Sequence, residues 1–501
     1  MIPKCFSPDG PAECRNISCT NFLSKVFEGF VLEWARKEVR PKDNQFGGEK
    51  GCSTTHLLVA TIDEITEALE DRRTACVLTA IDFSKAFNRL EHGPCLEAFK
   101  QKGASKQIIG LLAAFMTGRQ MTVRVGNSWS QMRPVHAGAP QGSVLGSYLF
   151  NIGTDDLEED CRFPDMPFFD ECEEATNASC DFPAASTPTR VSSNVPEPSL
   201  SPMPQIGRDI ELGPRVANVP PWLRTPKEKR WEDREPTVKK FIDDGINIDV
   251  VNMLAVQTTL EKNKPVKTVH PVKTQALLEH VTKRANQKGM VVNDKKTTIM
   301  CVSAATSYEA RARVTDRNGE NISSNRSMKV LGCVLDSDCT MKGQAESVRK
   351  KLRSRTWGLA ALKKNGFTDD ELIRVYKSQM RPVAEYSGVA WHSLLTREQS
   401  ENIERQQSQA LKHIYGYKMS ARKMRAKARL DRLEDRREAA CLKFAKKCST
   451  GDRFGVWFER NVTGTRDRRS VGNYKDYVQP RARTDRHNNS PLNYCRRLLN
   501  K

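Results

Sequence analysis

The sequence predicts an α+β fold, with strands in the first two thirds of the chain and helices in the last third. Apolar runs such as ACVLTAID (75–82), and INIDV (246–250) with its alternating apolar residues, are typical of strands. From residue 341 to residue 447, apolar residues recur at helical spacing instead. The chain therefore divides into a mixed body and a helical module.

Composition limits the class of protein. The 501 residues are 38% hydrophobic and 28% charged, enough for several domains with a sizeable core. No apolar run approaches the ~18 residues of a membrane span, and the start, MIPKCFSPDG, lacks the apolar stretch of a signal peptide. The 15 cysteines are scattered and contain no CxxC pair. We expect an intracellular protein of nucleus and cytoplasm, with reduced thiols and no membrane partner.

Positive charge is concentrated at one end of the chain. Of 81 Lys and Arg residues against 61 Asp and Glu, residues 341–501 hold 38 basic and 17 acidic ones. The first 340 residues are therefore close to neutral. A basic module joined to a neutral body is the pattern of a nucleic-acid clamp beside a catalytic domain. A basic, solvated tail without a specific partner is the alternative.

Local patterns predict further elements. Phe22, Val26, Phe30 and Trp34 share one face of a helix at 21–37. Capping boxes at Thr368 with Glu371 and at Thr396 with Gln399 mark two helix starts. In the second of these helices, one apolar face is formed by Ile403, Ala410, Leu411 and Ile414, and Gly416 ends the helix. The remaining predictions are a helical stretch at 84–116, a hairpin at 121–135, a helix at 275–289, a strand-turn-strand unit at 291–302 and a strand at 328–336.

Residues 160–236 break the pattern. They are rich in Pro, Ser and Ala and show little periodicity. We interpret them as a disordered insertion that separates two acidic stations.

These acidic stations are the candidate catalytic residues. Asp82 ends the first strand, and Asp243 with Asp244 sits between apolar runs in VKKFIDDGINIDV. Adjacent carboxylates repel one another, and a divalent cation relieves the repulsion. A second pair, Asp155-Asp156, competes for this role, but strands flank only the later pair.

Between the stations stands GAPQGSVLGSYLF (138–150). The order of a strand-borne Asp, a PQG turn and an Asp-Asp hairpin resembles the reverse transcriptases of non-LTR (LINE-type) retrotransposons. Further similarities are MIPK…RNIS, NQFGGEKGCSTTH and VVNDKKTT. The resemblance implies a right-hand polymerase fold and RNA-directed DNA synthesis, with a primer, dNTPs and an RNA template as partners.

The resemblance also implies roles for single residues. Asp82, the carbonyl of Phe83 and Asp243 would bind two Mg²⁺ ions, with Mn²⁺ as a substitute, and Asp244 would support the site. Lys296 would protonate the pyrophosphate leaving group, although a solvated lysine is an equal alternative.

Nucleotide-binding roles come from the same source: Lys4 and Arg15 would hold the triphosphate. Phe87 would exclude a 2′-OH, Gln141 would contact the nucleotide, and Gly142 would let the backbone approach the template pair.

Some positions depart from the family's pattern: Asn16, Asn88, Gly48-Glu49 and Ser147-Tyr148 replace its usual residues. A glutamate at 49 is unfavourable near phosphates, so activity could be impaired.

The family's architecture implies a division of the chain. The basic helices would form a thumb that follows the duplex backbone, and RKMRAKAR (422–429) is the densest basic cluster. We expect the polymerase end of a longer element protein, truncated or from a decayed copy. The implied domains are partial fingers (1–75), palm with interspersed fingers (76–159), the insertion (160–236), palm (237–340), a helical thumb (341–447) and a basic C-terminal extension (448–501).

Two alternatives remain open. The chain could be a catalytically dead, truncated remnant that only binds nucleic acid. It could also be another polymerase, such as an intron maturase or an RNA-dependent RNA polymerase, although Phe87 favours deoxynucleotides.

Overall fold

A computed structural model describes most of the chain, and all described residues lie in one compact unit drawn from residues 1–163 and 220–501. The predicted insertion at 160–236 lies outside the described residues, apart from residue 161. The described residues are 2–3, 14–15, 17–125, 127–159, 161, 237–241, 244–253, 256, 258–261, 264–305, 308–322, 324–461 and 476–501.

Strands lie mainly in the first two thirds of the chain, as predicted. They are β1 Ile2–Pro3, β2 Cys14–Arg15, β3 Thr74–Asp82, β4 Gln120–Met121, β5 Arg124–Val125, β6 Ser128–Trp129, β7 Arg133–Pro134, β8 Thr237–Phe241 and β9 Asp244–Asn252. The later ones are β10 Thr258–Glu261, β11 Lys264–Val269, β12 Thr298–Ser303, β13 Glu309–Ala312, β14 Val314–Thr315, β15 Asn321–Ile322, β16 Ser327–Val330 and β17 Cys333–Asp336.

Helices dominate from residue 342 onward. The earlier ones are α1 Phe22–Glu38, α2 Thr54–Ala68, α3 Ala86–Arg89, α4 His92–Gln101, α5 Lys106–Met116, α6 Gly146–Gly153 and α7 Val272–Gln287. The later ones are α8 Lys342–Lys364, α9 Asp369–Val375, α10 Arg381–Glu385, α11 Gly388–Trp391, α12 Arg397–Tyr415, α13 Ala421–Ala428, α14 Leu433–Ser449, α15 Asp485–Asn488 and α16 Pro491–Leu499. A π-helical turn, Tyr376–Met380, joins α9 to α10.

The central sheet has four antiparallel strands in the order β12-β3-β9-β8. Because successive side chains of a strand point to opposite faces, β3 contributes to two hydrophobic clusters. Cys76 and Leu78 pack with α2 and the C-terminal helices, whereas Ala75, Val77 and Ile81 pack with α4 to α7. The sheet is thus covered on both faces, and its functional groups must lie at the strand ends.

Several local predictions are confirmed. Both capping boxes are present at Thr368 and Thr396. The apolar face of α12 is buried, Gly416 follows the helix with a positive φ of 86°, and α1, α7 and β3 lie within one to three residues of their predicted bounds. The hairpin at 121–135 forms as two short ladders, β4 with β7 and β5 with β6.

The predicted helical stretch at 84–116 consists of three helices: Leu90 and Glu91, with ψ values of 114° and 138°, separate α3 from α4, and Gly103, with a positive φ of 84°, separates α4 from α5. One prediction about element continuity is wrong. The segment 328–336 is a hairpin of β16 and β17 rather than one strand. Leu331 and Gly332, both left-handed, form its two-residue turn, which is the backbone that tight hairpins require.

Candidate active site

The backbone register brings Asp82 and Asp244 to the same end of the central sheet. Asp82, the last residue of β3, lies opposite Asp244, the first residue of β9. Opposite residues of antiparallel strands have Cα atoms about 4.5–5.5 Å apart. Asp243 and the side chain of Asp244 lie outside the described residues. Asp82 and Asp244, which are remote in sequence, are therefore neighbours at one end of the sheet.

The VVNDKKTT segment surrounds Asp82. The backbone N–H of Asn293 donates to the Asp82 carbonyl at 2.7 Å, and Phe83 forms an isolated antiparallel bridge with Val292. Two side chains contact the carboxylate: Lys296 Nζ lies 2.9 Å from Oδ2, and Asn293 Nδ2 donates to the same oxygen at 3.3 Å. The Lys296 side chain is two-thirds exposed. A largely exposed cation thus neutralises a carboxylate that is itself partly open to solvent.

The GAPQGS turn is held against the helix that follows β3. Ala139 N–H donates to the Phe87 carbonyl, and Gly138 N–H donates to the Leu90 carbonyl, both at 2.8 Å. Gly138 has a φ of 95°, and a Cβ there would lie 2.7 Å from the Phe87 oxygen, so only glycine fits. The half-buried Phe87 ring stacks on Phe150 of α6, with centroids 4.6 Å apart.

The tip of the turn is anchored on the chain that precedes α1. Ser18 N–H donates to the Gln141 carbonyl at 2.7 Å, which leaves the Gln141 side chain partly exposed. Gly142 has a φ of 110°, and a Cβ on it would lie 3.0 Å from the Ser18 oxygen. Gly142 therefore does permit a close backbone approach, but the described partner is Ser18 of this chain.

A buried carboxylate that contacts the chain after the PQG turn was not predicted from the sequence. Glu28 of α1 is 1% exposed, and its Oε2 accepts from Val144 N–H at 2.7 Å and from Leu145 N–H at 3.2 Å. These amides precede α6, where a helix leaves N–H groups without intrahelical partners. No sequence signal separates Glu28 from other helical glutamates, because its partners are more than a hundred residues away.

The triphosphate-binding candidates are only partly described. Arg15 belongs to β2, which pairs with β1, but its side chain and the whole of Lys4 lie outside the described residues. The chain passes from Arg15 to Ser18 and hence to the PQG turn within three residues. The role of Arg15 in binding the triphosphate stays a prediction.

The competing pair, Asp155-Asp156, is engaged in structural contacts. The Asp155 carboxylate is 1% exposed, accepts from Lys42 N–H at 3.0 Å and pairs with Lys102 Nζ at 2.6 Å. Asp156 pairs with Lys288 Nζ at 2.9 Å. Their charges are already compensated, which supports the preference for Asp243-Asp244.

Glu49, predicted to be unfavourable near phosphates, is paired with an arginine and largely buried. Its carboxylate lies 3.4 Å from Arg36 Nη2, and its side chain is only 15% exposed. Burial raises the Glu49 pKa, while the nearby Arg36 and Arg453 act in the opposite direction. The negative charge is thus either paired or suppressed and does not face open solvent.

The C-terminal helices expose many cations. On α13 and its C-terminus, the exposed ones are Arg422, Lys423, Lys427 and Arg429, whereas Met424 and Ala428 are buried. Of the aromatic residues considered for base stacking, Trp391, Trp457 and Tyr477 are buried in the core, and Tyr474 lies outside the described residues. The exposed cations remain candidates for phosphate contacts, whereas the three buried aromatic residues serve packing.

Comparison with known proteins finds similarity to one protein family. Residues 3–167 match the family model "Reverse transcriptase (RNA-dependent DNA polymerase)". This segment, about a third of the chain, is therefore similar to reverse transcriptases, and the α+β right-hand polymerase fold is the fold of that family. The match includes Asp82, Phe87 and the PQG turn and ends before Asp243.

The relatives that match this segment are encoded by non-LTR retrotransposons, the type that the sequence motifs resemble. It is 34% identical over 163 residues to a probable RNA-directed DNA polymerase from transposon BS of Drosophila melanogaster, covering 31% of this chain and 18% of the relative. It is 31% identical over 183 residues to the corresponding X-element protein of the same organism, covering 36% and 20%. The matched region thus spans about a fifth of each relative.

Two solved structures also match this chain, with low TM-scores. One is telomerase from Candida albicans in complex with a TWJ fragment of telomeric RNA, with a TM-score of 0.33, 10% identity and coverage of 86% of this chain and 57% of that chain. The other is apo telomerase from Candida tropicalis, with a TM-score of 0.36, 11% identity and coverage of 87% and 55%. Within the described part of the chain, no helix combines the length and apolarity needed to cross a membrane.

Proposed function

We propose that this chain is an RNA-directed DNA polymerase that extends a DNA primer with dNTPs on an RNA template. The carrying observation is the register of Asp82 opposite Asp244, which brings two acidic residues remote in sequence to the same end of the central sheet. The family match and the relatives support the reaction class. The basic C-terminal helices supply the charge that a nucleic-acid duplex requires.

The donor set at the strand edge suits divalent metal ions. Among the described residues no group of three or more His, Cys, Asp or Glu side chains could hold a metal, but Asp243 is outside that set. Asp82 is 22% exposed, and both of its described side-chain contacts fall on Oδ2. Oxygen donors of this kind fit Mg²⁺. Asp82, Asp243 and the Phe83 carbonyl would hold two Mg²⁺ ions, which would activate the primer 3′-OH and stabilise charge on the phosphate.

The chain's own groups would perform three further tasks. Phe87, fixed by its stack on Phe150 and by Ala139, would close the space beside the sugar against a 2′-OH. Gln141, on a turn anchored by Ser18, would orient the nucleotide. Lys296 Nζ, 2.9 Å from the Asp82 carboxylate, would donate a proton to the leaving pyrophosphate.

Primer extension on an RNA template with Mg²⁺ and dNTPs tests this function. We expect the wild type to extend the primer, and the double variant Asp243→Asn/Asp244→Asn to bind the template but not extend it. The matched control is Asp369→Asn/Asp370→Asn, an adjacent pair in the first turn of α9, which should retain synthesis. Synthesis by the first variant would refute the site, whereas RNA binding without synthesis by the wild type would support the non-catalytic alternative.

A further inference from the structure

One face of α1 is apolar and open to solvent. Six side chains, called here the outer face of α1, are between 43% and 76% exposed. They are Phe22, Leu23, Val26, Phe27, Phe30 and Trp34. Single exposed apolar residues are ordinary on a protein surface, but a contiguous set of six on one helix is not.

The opposite side of the same helix is already buried. Val31 and Ala35 are at most 4% exposed and pack in the core, and Leu32 is partly buried against it. A helix that is apolar on both sides is typical of a helix buried on both sides. Since core packing accounts for only one side of α1, the outer face requires a second partner.

The size of the outer face corresponds to an interface between proteins. Taking ~200 Å² for each aromatic side chain, the exposed fractions of its four aromatic residues give on the order of 500 Å². Leu23 and Val26 increase this area. The total is at or above the ~300–600 Å² of the largest patch on a typical monomer, and approaches the ~800 Å² that each partner buries in a standard complex.

The pattern of the outer face fits another helix. Leu23, Phe27, Phe30 and Trp34 are separated by four, three and four residues, the spacing of a helix–helix seam. The exposed charges of α1 are mixed: Lys25 and Lys37 are balanced by Glu33 and Glu38. A lipid surface or a nucleic acid would favour a cationic helix, so a protein helix is the better match.

We propose that the outer face of α1 pairs with the same face of a second copy of this chain. An isologous contact uses one patch on both subunits, so the apolar face of each copy would be covered by its counterpart. An antiparallel arrangement would set opposite ends of the two helix dipoles beside each other. This proposal is independent of the catalytic function proposed above.

The interface would lie directly behind the nucleotide-binding turn. On the buried side of α1, the Glu28 carboxylate accepts from the amides of Val144 and Leu145, immediately after the PQG sequence. Ser18, just before the helix, is hydrogen-bonded to Gln141. Covering the outer face would therefore steady the helix to which the turn is attached.

Sedimentation equilibrium of the full chain tests the proposal. The protein is treated with nuclease and measured in high salt, so that bound nucleic acid cannot bridge two copies. We expect the wild type to show twice the chain mass of 56.6 kDa. The variant Leu23→Lys/Phe27→Lys/Phe30→Lys should show the mass of a single chain, because the dissociation constant of the dimer rises at least a hundredfold.

The control variant is Trp129→Lys/Met132→Lys, whose side chains are each 65% exposed but lie outside α1. It should remain dimeric, and unchanged melting temperatures should show that both variants fold. A monomeric wild type, or a dimer that survives the α1 substitutions, would overturn the proposal. Wild-type monomers that bind neutral phosphatidylcholine vesicles through α1 would assign the face to lipid instead, which also overturns it.

Discussion

Lys296 Nζ lies 2.9 Å from Asp82 Oδ2, so an exposed lysine contacts one oxygen of the carboxylate proposed to bind metal. Lys296→Gln should lower the rate of nucleotide addition by about 10²- to 10⁴-fold, since a general acid is lost. It should also lower the Mg²⁺ concentration needed for half-maximal rate, because the ammonium no longer competes for Oδ2. A Mg²⁺ titration of single-nucleotide addition measures both quantities.

The control for this variant is Lys295→Gln, because Lys295 is the exposed neighbour in the same segment. It should change neither quantity. Equal effects of the two substitutions would mean that only the overall charge matters, and the specific role of Lys296 would be lost.

Alanine substitutions at Gly142 and Gly51 distinguish the effect of backbone strain from the effect of a close neighbour. Both have positive φ values, 110° and 84°, but only Gly142 has a neighbour, Ser18, 3.0 Å from the position of a Cβ. Gly142→Ala should destabilise the fold by about 1–3 kcal/mol and raise the KM for dNTP, because the turn must shift away from Ser18. Gly51→Ala should cost strain alone and leave KM unchanged. Thermal unfolding with steady-state kinetics distinguishes the two, and equal KM values would contradict the turn's role.

Phe87 should govern the choice of sugar. Because its ring stacks on Phe150 at 4.6 Å, its position is fixed. Phe87→Val should reduce the preference for dNTP over NTP by at least about tenfold, since a smaller side chain leaves room for a 2′-OH. Phe87→Tyr should keep both the stack and the preference. Competition between dCTP and CTP during primer extension gives the ratio, and an unchanged ratio in the valine variant would exclude this role.

Local signals in the sequence predicted local structure well. The capping box at Thr368 was predictable because its partners lie three residues apart. The Leu331-Gly332 turn was not, since a left-handed leucine has no sequence signature. The register of Asp82 with Asp244 depends on pairing between distant strands, so the resemblance suggested it but periodicity could not. Periodicity likewise identified the apolar face of α1 without indicating that it is exposed.

Loss of the Asp155 carboxylate should affect stability, whereas loss of the Asp243 carboxylate should affect DNA synthesis. The Asp155 carboxylate is 1% exposed and pairs with Lys102 Nζ at 2.6 Å and with the buried Lys240 Nζ at 3.7 Å, so Asp155→Asn removes a counter-charge from both cations. This variant should lose about 3–5 kcal/mol of unfolding free energy. Asp243→Asn should instead abolish synthesis and leave stability unchanged or higher, because it removes repulsion between adjacent carboxylates. Denaturant unfolding and primer extension on both variants test this, and the reverse pattern would make Asp155 the catalytic residue.

His56 should make stability depend on pH. Its ring is buried against Phe454 and Phe444, with centroids 4.5 and 4.9 Å away, and burial lowers its pKa to about 4. The unfolded chain, with a pKa near 6.5, binds a proton more readily, so its contribution is complete above about pH 6.5 and is lost as the pH falls toward 4. His392, whose pKa burial also lowers to about 4, contributes in the same direction. Each ring should account for on the order of 1–3 kcal/mol.

The substitution His56→Phe isolates this contribution, because phenylalanine suits the aromatic surroundings and cannot titrate. Between pH 7 and pH 4.5, the variant should lose less unfolding free energy than the wild type, although it also loses the 2.7 Å hydrogen bond between Ser53 Oγ and the His56 ring. His136→Phe, at an exposed position, should retain the wild-type pH dependence. Denaturant unfolding across this pH range provides the measurement. An unchanged slope in the His56 variant would mean that buried carboxylates, rather than this ring, set the acid sensitivity of the fold.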